Sequence, residues 1–349
     1  MTPKKIVIIK RELRKKGGLE KQTLHLSLGL QQKGFDLTLL TKDPDPLPGI
    51  PTVSLVTKPF ETAARRWLSQ NPSPIIFGMD RDLFLTHMRV GNGVHAVYLK
   101  RLGNFRQWFA KLQPHHRHIL QLEKNSFSNP RLQKILVSSH MVKEEIISCY
   151  PVDIKKIAVI PSGVEWEEIE PYFLTWEEGK KALCKQFGVS PHLFHFLFIG
   201  NNYQRKGLHL LLKAFEKIKD RDFCLWIIGK DKNLSRYRSS PNFRFLGPQE
   251  NIVPFYQLAD VMVIPSLYDP FANVTLEALA MGLFVISSPY NGGKEVLTSL
   301  TGMVFDNLAA ALQLSMEKHK KTPSSSLFIR NSVKHLDFSH YITQLIDLL

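Results

Sequence analysis

One pattern appears twice in this chain and leaves few folds open to it. A short apolar run is followed by a loop containing glycine, then by a helix-patterned stretch, then by a second short apolar run. The first copy is KKIVIIK (Lys4 to Lys10), Gly17-Gly18, LEKQTLHLSLGLQQKG and DLTLLT (Asp36 to Thr41). The second is FHFLFI (Phe194 to Ile199), the loop Gly200 to Gly207, LHLLLKAFEKIKD and CLWII (Cys224 to Ile228). Runs this short and this continuously apolar suit strands buried on both faces, which parallel sheets provide. A helix joining two such strands makes a βαβ unit, and two units far apart in the chain predict two Rossmann-like α/β domains. Lys134 to Ser138, Ile157 to Ile160, Phe243 to Gly247 and Val261 to Pro265 read as further strands. Pro161-Ser162-Gly163 interrupts the pattern and an acidic tract, Glu165 to Glu178, follows it, so the boundary is placed at 164.

With 349 residues, 44% of them hydrophobic, the chain can bury two sizeable cores. Its three cysteines, Cys149, Cys184 and Cys224, are too few and too scattered for a disulfide framework and show no metal-ligand spacing. The start, MTPKKIVIIKRELRKK, returns to charge after a four-residue apolar run and reads as a strand rather than a signal peptide. No window approaches the roughly 18 apolar residues of a membrane span, so a soluble protein is expected. Charge is distributed unevenly. Residues 1–164 carry 26 basic and 12 acidic side chains, a net of +14, whereas residues 165–349 carry 20 and 19. A basic first half beside a neutral second half predicts that the first domain meets a polyanion, whether nucleic acid, an anionic membrane face or a phosphorylated glycolipid.

Candidate chemistry gathers where strands end and helices begin, the edge at which open α/β sheets hold ligands. In VIPSLYDPFANVTLEALAMGLFVISSPYNGGKEV (Val263 to Val296) a buried strand leads through a loop to a helix starting near Asn273, with Gly282 placed to end it. Asp269 in the loop and Glu277 one turn into the helix frame that helix N-terminus. Backbone N–H groups there favour an anion, while the two acids suit sugar hydroxyls. Equally, Asp269 caps a turn and Glu277 is a solvated helix residue. Arg205 and Lys206 bring a guanidinium fork and a point charge to the loop after Phe194 to Ile199, a pairing that suits a diphosphate; solvated basic pairs also occur in such loops. Gly229-Lys230-Asp231 ends the next strand at the same kind of edge. In the first half, DRDLFLTHMRVGNGVH (Asp80 to His95) lies past a strand end, and His95 follows the Gly91-Asn92-Gly93 turn. Residues 98–118 interleave Phe105, Trp108, Phe109 and Leu112 with Lys100, Arg101, Arg106, Lys111 and Arg117. That pattern fits either a helix lying on an anionic membrane surface or a surface helix packing its aromatics inward.

The ordered set of these motifs resembles the retaining family 4 glycosyltransferases of GT-B fold. It includes the Gly17-Gly18-Leu19-Glu20 turn, the Ile160 to Val164 crossover, Arg205-Lys206-Gly207, Gly229-Lys230-Asp231 and DPFANVTLEALAMG, and it covers nearly the whole chain. GGLEKQ, RVGNGVHAVYLKR and the RKG and GKDK loops are most similar to the lipopolysaccharide core glucosyltransferase I group. The resemblance implies an α/β, GT-B fold: two Rossmann-like domains facing each other across a donor/acceptor cleft. One would be a basic acceptor domain over 1–164, joined by a C-terminal helix at about 335–349. The other would be a nucleotide-sugar domain over 165–334. It implies transfer of a hexose, glucose from a UDP-linked donor, to lipopolysaccharide core or a similar glycolipid at the cytoplasmic membrane face, with retention and without a cofactor or metal.

Residue by residue, the resemblance gives Arg205 and Lys206 the donor diphosphate, Glu277 the ribose and Asp269 the donor sugar, near the backbone of Phe271, Ala272, Asn273 and Val274. It sets Gly17, Gly18, Gly229 and Lys230 beside the donor and His95 near the reacting carbon. Lys100, Arg101, Phe105, Arg106, Trp108, Phe109 and Lys111 would face membrane or acceptor. Three positions depart from the family pattern. Asp269 stands for a Glu, Ala272 for a Gly that crowds the backbone less, and Phe284 for a Pro after Gly282. Two other readings account for less of the sequence. A nucleotide-sugar 2-epimerase of the same fold lacks the RKG and acid–x7–acid pairing. A basic nucleic-acid-binding protein would leave Asp269, Glu277 and both glycine turns without a role.

Overall fold

The computed structural model describes residues 4–13, 18–43, 49–57, 59–79, 81–82, 84–102, 112–219, 222–237 and 240–349. They form two compact units, one of residues 1–161 with 339–349 and one of residues 162–338. Each is a twisted parallel sheet covered by helices, so the two Rossmann-like domains of a GT-B fold are present.

In the first unit the chain runs β1 (Lys5–Ile9), α1 (Gly18–Gln32), β2 (Asp36–Thr41), β3 (Thr52–Ser54), α2 (Phe60–Gln70), β4 (Ile75–Gly78), β5 (His87–Arg89), α3 (His95–Arg101), α4 (Pro114–Phe127), β6 (Lys134–Val137), α5 (His140–Cys149) and β7 (Ile157–Val159). The strand order is β3-β2-β1-β4-β5-β6-β7, with Ile6 of β1 opposite Leu37 on one side and Ile75 on the other. The order reverses direction between β1 and β4. Val7, Ile9, Leu40, Ile135 and Val137 build the core, as the apolar runs predicted, together with Met88. The final helix, α12 (Phe338–Ile346), buries Tyr341, Ile342 and Leu345. A Cβ at Gly29 of α1 would come within 3.2 Å of Ile342, so a glycine lets that helix seat closely.

Several local expectations are corrected. The segment Asp80 to His95, read as lying past a strand end, itself contains β5 in the interior of the sheet, with His87, Met88 and Arg89 all buried. Residues 98–118 do not read as one helix: α3 ends at Arg101 with Leu102 as its cap, and Pro114 opens α4. Of the aromatic and basic residues singled out there, Phe105, Arg106, Trp108, Phe109 and Lys111 lie outside the described residues.

The second unit begins with α6 (Trp166–Leu174) and α7 (Trp176–Gln186), which take up the acidic tract that follows the boundary. Their first turns hold Glu167, Glu168, Glu177 and Glu178, the charges a helix N-terminus favours. Then come β8 (Phe194–Ile199), α8 (Leu208–Phe215), β9 (Phe223–Ile228), β10 (Phe243–Gly247), a 3-10 turn (Val253–Gln257), β11 (Val261–Ile264), α9 (Asn273–Ala280), β12 (Phe284–Ser287), β13 (Gly302–Val304), α10 (Leu308–Lys318) and α11 (Pro323–Ser332). A full helix expected from Gly292 is a single 3-10 turn, Gly292–Val296. Strands pair in the order β10-β9-β8-β11-β12-β13, and every residue of β8, β9, β11 and β12 is buried. The strand order reverses direction between β8 and β11, the switch point beyond whose C-terminal strand ends open α/β sheets hold ligands. At the opposite edge, buried Asp260 accepts from Lys180 (3.1 Å), Lys320 (3.2 Å) and the His195 N–H (2.8 Å). Lys321 lies beside this hub, donating to the Met281 carbonyl at 2.9 Å under the Trp176 ring.

Candidate functional site

The loops leaving β8, β9, β11 and β12 meet beside that switch point, and the sequence shows why they can. Gly207, at φ +77, closes the loop after β8; a Cβ there would lie 1.9 Å from the Pro265 carbonyl oxygen, so only glycine fits. Gly229, at φ +123, is in the same position relative to the Gly200 carbonyl. Between them Asn202 adopts φ 60 and its side chain accepts the Arg205 N–H at 3.1 Å. Its own N–H donates to the Lys230 carbonyl, and the Leu267 N–H donates to the Arg205 carbonyl, both at 2.9 Å. The β8 loop is thereby fastened to the loops after β9 and β11.

These fastenings bring Lys206 to Asp269, Nζ to Oδ2 at 2.5 Å, with side-chain exposures of 16% and 7%. Burial pushes the Asp269 carboxyl up, yet Lys206, Arg205 and the Phe271 N–H more than offset it and hold the group below the ordinary aspartate value. It is a carboxylate at neutral pH. Gly200 carries the stem of Lys206, since a Cβ there would meet Lys206 Cγ at 2.8 Å. Arg205 is half-buried in the same loop and Lys230 is exposed at the end of β9.

Helix α9 starts two residues past Phe271, and no side chain caps its first turn. Uncapped N–H groups leave the positive end of the helix open to an anion. Phe271 and Ala272 are buried, Asn273 and Val274 half-buried. Glu277 is half-buried on α9 and accepts a hydrogen bond from the Tyr256 hydroxyl at 2.6 Å. Fully buried Asn291 holds the turn together: its Oδ1 accepts the N–H groups of Ala272 and Gly293, both at 3.0 Å. Its Nδ2 donates to Thr275 (3.2 Å) and Ser287 (3.0 Å). Asp231 is raised by burial but lowered on balance by the N–H groups of Asn233, Gln204 and Tyr203, which it accepts.

Thus Arg205, Lys206, Asp269, Phe271, Ala272, Gly229 and Lys230 on loops, and Asn273, Val274 and Glu277 on α9, stand at one edge of one sheet. Asn202, Tyr256 and Asn291 were not among the residues that the sequence singles out. Each acts through backbone or through a neighbour, and a polar residue in a loop carries no spacing signal for that.

The first unit holds a second cluster. His95 is the first residue of α3 rather than part of a loop, and its N–H donates to Glu123 Oε1 at 2.9 Å. Fully buried Glu123 also accepts from Arg81 Nε (2.8 Å), the Tyr150 hydroxyl (2.7 Å) and the Ala96 N–H (3.2 Å). The His95 Nε2 lies 3.0 Å from His116 Nδ1. Burial, helped by Arg81 and His116 against Glu123, lowers His95 to about 4, so it is neutral at pH 7. Gly18 opens α1, while Gly17 lies outside the described residues. Arg101 pairs with Glu145 at 3.1 Å and Lys100 is exposed. Among the described residues, no helix is long and apolar enough to cross a membrane.

Known proteins agree with this architecture. Residues 16–168 match the family model Glycosyltransferase Family 4, and residues 194–318 match Glycosyl transferases group 1. An uncharacterized glycosyltransferase, MJ1607, of Methanocaldococcus jannaschii is 31% identical over 177 residues, 47% of this chain and 44% of that protein. The D-inositol 3-phosphate glycosyltransferase of Pseudarthrobacter chlorophenolicus is 28% identical over 194 residues, 51% of this chain and 45% of that one. The matches thus span about half the length of these curated relatives. Among solved structures, WaaG, a glycosyltransferase involved in lipopolysaccharide biosynthesis, superposes with a TM-score of 0.81 at 15% identity, covering 98% of this chain and 99% of that one. At that identity the likeness shows the fold.

Proposed function

The chain is built from a Glycosyltransferase Family 4 domain followed by a Glycosyl transferases group 1 domain in a GT-B fold, and from that premise we propose that it transfers a hexose from a nucleotide-sugar to a glycolipid acceptor. The observation that carries the reading is the Lys206–Asp269 pair at the β8/β11 switch point, beside the uncapped start of α9. Lys206 and Arg205 neutralise the donor diphosphate and stabilise the charge that builds on it as the sugar leaves. The α9 N–H groups add to that field. Asp269, ionised by those cations, accepts sugar hydroxyls, and Glu277 accepts the ribose.

The donor is UDP-glucose and the configuration is retained, following the motif resemblance. Charge neutralisation by Lys206, Arg205 and α9 gives the site what a metal would otherwise supply, so transfer proceeds in a chelator. In the first domain, His95 and the strand-end loops receive the acceptor. The net charge of +14 over residues 1–164 favours a phosphorylated acceptor at an anionic membrane face, lipopolysaccharide core in the first instance. Lys100, Arg101, Phe105, Arg106, Trp108, Phe109 and Lys111 contribute to that contact. A phosphorylated polyol is the second reading of the acceptor, favoured by the relatives named as D-inositol 3-phosphate glycosyltransferases.

A panel of nucleotide-sugars, scored for hydrolysis and for transfer to each acceptor with and without EDTA, tests the proposal. UDP-glucose turnover that survives EDTA and disappears in Glu277→Ala is the expected result. No turnover with any donor, or near-normal turnover in Glu277→Ala, overturns it.

A further inference from the structure

Glu277 lies on a helix whose surroundings are almost wholly apolar: Thr275, Leu276, Ala278, Leu279 and Ala280 are all buried. A half-buried carboxylate at such a place needs a fixed donor, and Tyr256 supplies one from below. Tyr256 sits on the 3-10 turn that leads into β11, is 0% exposed and directs its hydroxyl to Glu277 Oε2 at 2.6 Å. Its neighbours Phe255, Leu258 and Ala259 belong to the apolar core. A phenylalanine would fill the same space without placing a polar atom there, so the hydroxyl is explained by Glu277 rather than by packing. Burial and the adjacent carboxylate push the phenol well above its ordinary value. It therefore remains a donor throughout the pH range in which the fold persists.

We propose that Tyr256 is the positioning residue of the donor site, holding Glu277 in the one orientation in which it accepts the ribose hydroxyls of a nucleoside diphosphate. The inference rests on the reading of Glu277 as ribose acceptor and adds how that carboxylate is aimed. Tyr256 touches no substrate itself. One carboxylate oxygen is engaged from the core, which fixes the plane of the group before the nucleotide arrives. Without the hydroxyl, Glu277 loses its contact from the core and more of its ordering falls at the moment of binding, a cost to nucleotide affinity.

The test is calorimetric titration of the full chain with the tightest binder among UDP, ADP and GDP, and with its 2′,3′-dideoxy analogue. Wild type, Tyr256→Phe, Glu277→Ala and the double variant are compared. Tyr256→Phe weakens the nucleoside diphosphate about 3- to 10-fold, leaves the dideoxy analogue unchanged, and adds nothing in the Glu277→Ala background. In turnover assays the donor KM rises by the same factor while kcat stays within about twofold. Unchanged affinity in Tyr256→Phe, or equal weakening of both ligands, overturns the positioning role and leaves the ribose reading standing. Wild type that binds both ligands equally, or binds no nucleotide, overturns the ribose reading and the inference with it.

Discussion

Replacing Lys206 by methionine separates the folding role of the Lys206–Asp269 pair from its chemical role. Methionine keeps most of the stem that Gly200 accommodates and removes only the ammonium. What remains is a carboxylate whose residue is 5% exposed, with Arg205 and the Phe271 N–H as its remaining support. Removing one partner of a buried pair costs about 3–5 kcal/mol, and those two remaining groups argue for the lower end, about 3 kcal/mol. For a unit of this size that corresponds to a fall in Tm of about 6–12 °C at pH 7.

The pH dependence is the sharper signature. In the wild type Asp269 is held below its ordinary value of 3.8, so the pair's stabilisation is present above that value and lost as pH falls through the lower one. In Lys206→Met burial is opposed by less charge and the carboxyl titrates higher, so the variant escapes its unpaired charge by protonation as pH falls. The gap in Tm therefore narrows steadily from pH 7 toward pH 4. Lys206→Met with Asp269→Asn, which removes both charges, recovers most of the loss. Both variants stay inactive, because the leaving diphosphate has lost its ammonium, an effect of about 100-fold or more in kcat. Differential scanning calorimetry across that pH range, with turnover measured on the same samples, decides the matter. A gap that is absent at pH 7 or flat down to pH 4 refutes the account of the pair, and near-normal kcat refutes its part in the chemistry.

Asn291→Ala orphans the N–H groups of Ala272 and Gly293 at the entrance to α9; a loss of about 3 kcal/mol in urea unfolding is expected, and an unchanged midpoint would show that the turn holds without it. Lys321 is pushed down to about 7 by burial. The unfolded chain therefore binds an extra proton between about pH 7 and the ordinary value of 10.5, and stability rises with pH across that window. Lys321→Met removes that slope, and identical pH slopes in the two proteins would contradict it. Neutralising Lys100, Arg101, Arg106 and Lys111 together lowers co-sedimentation with phosphatidylglycerol vesicles; unchanged pelleting would exclude these residues from a membrane contact.

Both sheets were legible because their strands are buried on two faces. KIVII, FHFLFI and FCLWII are apolar without alternation, a pattern that only an interior parallel strand requires. β5 escaped because His87, Met88 and Arg89 are only three residues with two polar side chains. Its burial is fixed by its neighbours β4 and β6, which arrive from elsewhere in the chain. The acidic tract reads differently in the fold. Of its six glutamates in fourteen residues, four stand in the first turns of α6 and α7 and complement the helix ends.

The candidate site divides along the same line. Arg205, Lys206, Asp269 and Glu277 are legible because charge at a strand end, beside glycines that permit close approach, is a pattern in one dimension. Their geometry is not, since it depends on residues that meet only when the sheet forms. Lys206 reaches Asp269 because Gly207 passes under the Pro265 carbonyl and Asn202 turns left-handed. Glu277 is aimed by a tyrosine 21 residues earlier, and α9 is entered through an asparagine 19 residues past Ala272. The same holds for Glu123, which in HILQLEKNSF reads as a surface helix residue and in the fold caps α3 from 28 residues away. A carboxylate that accepts four donors with no exposure has no sequence signature, because the partners that make its burial tolerable are supplied by three separate segments.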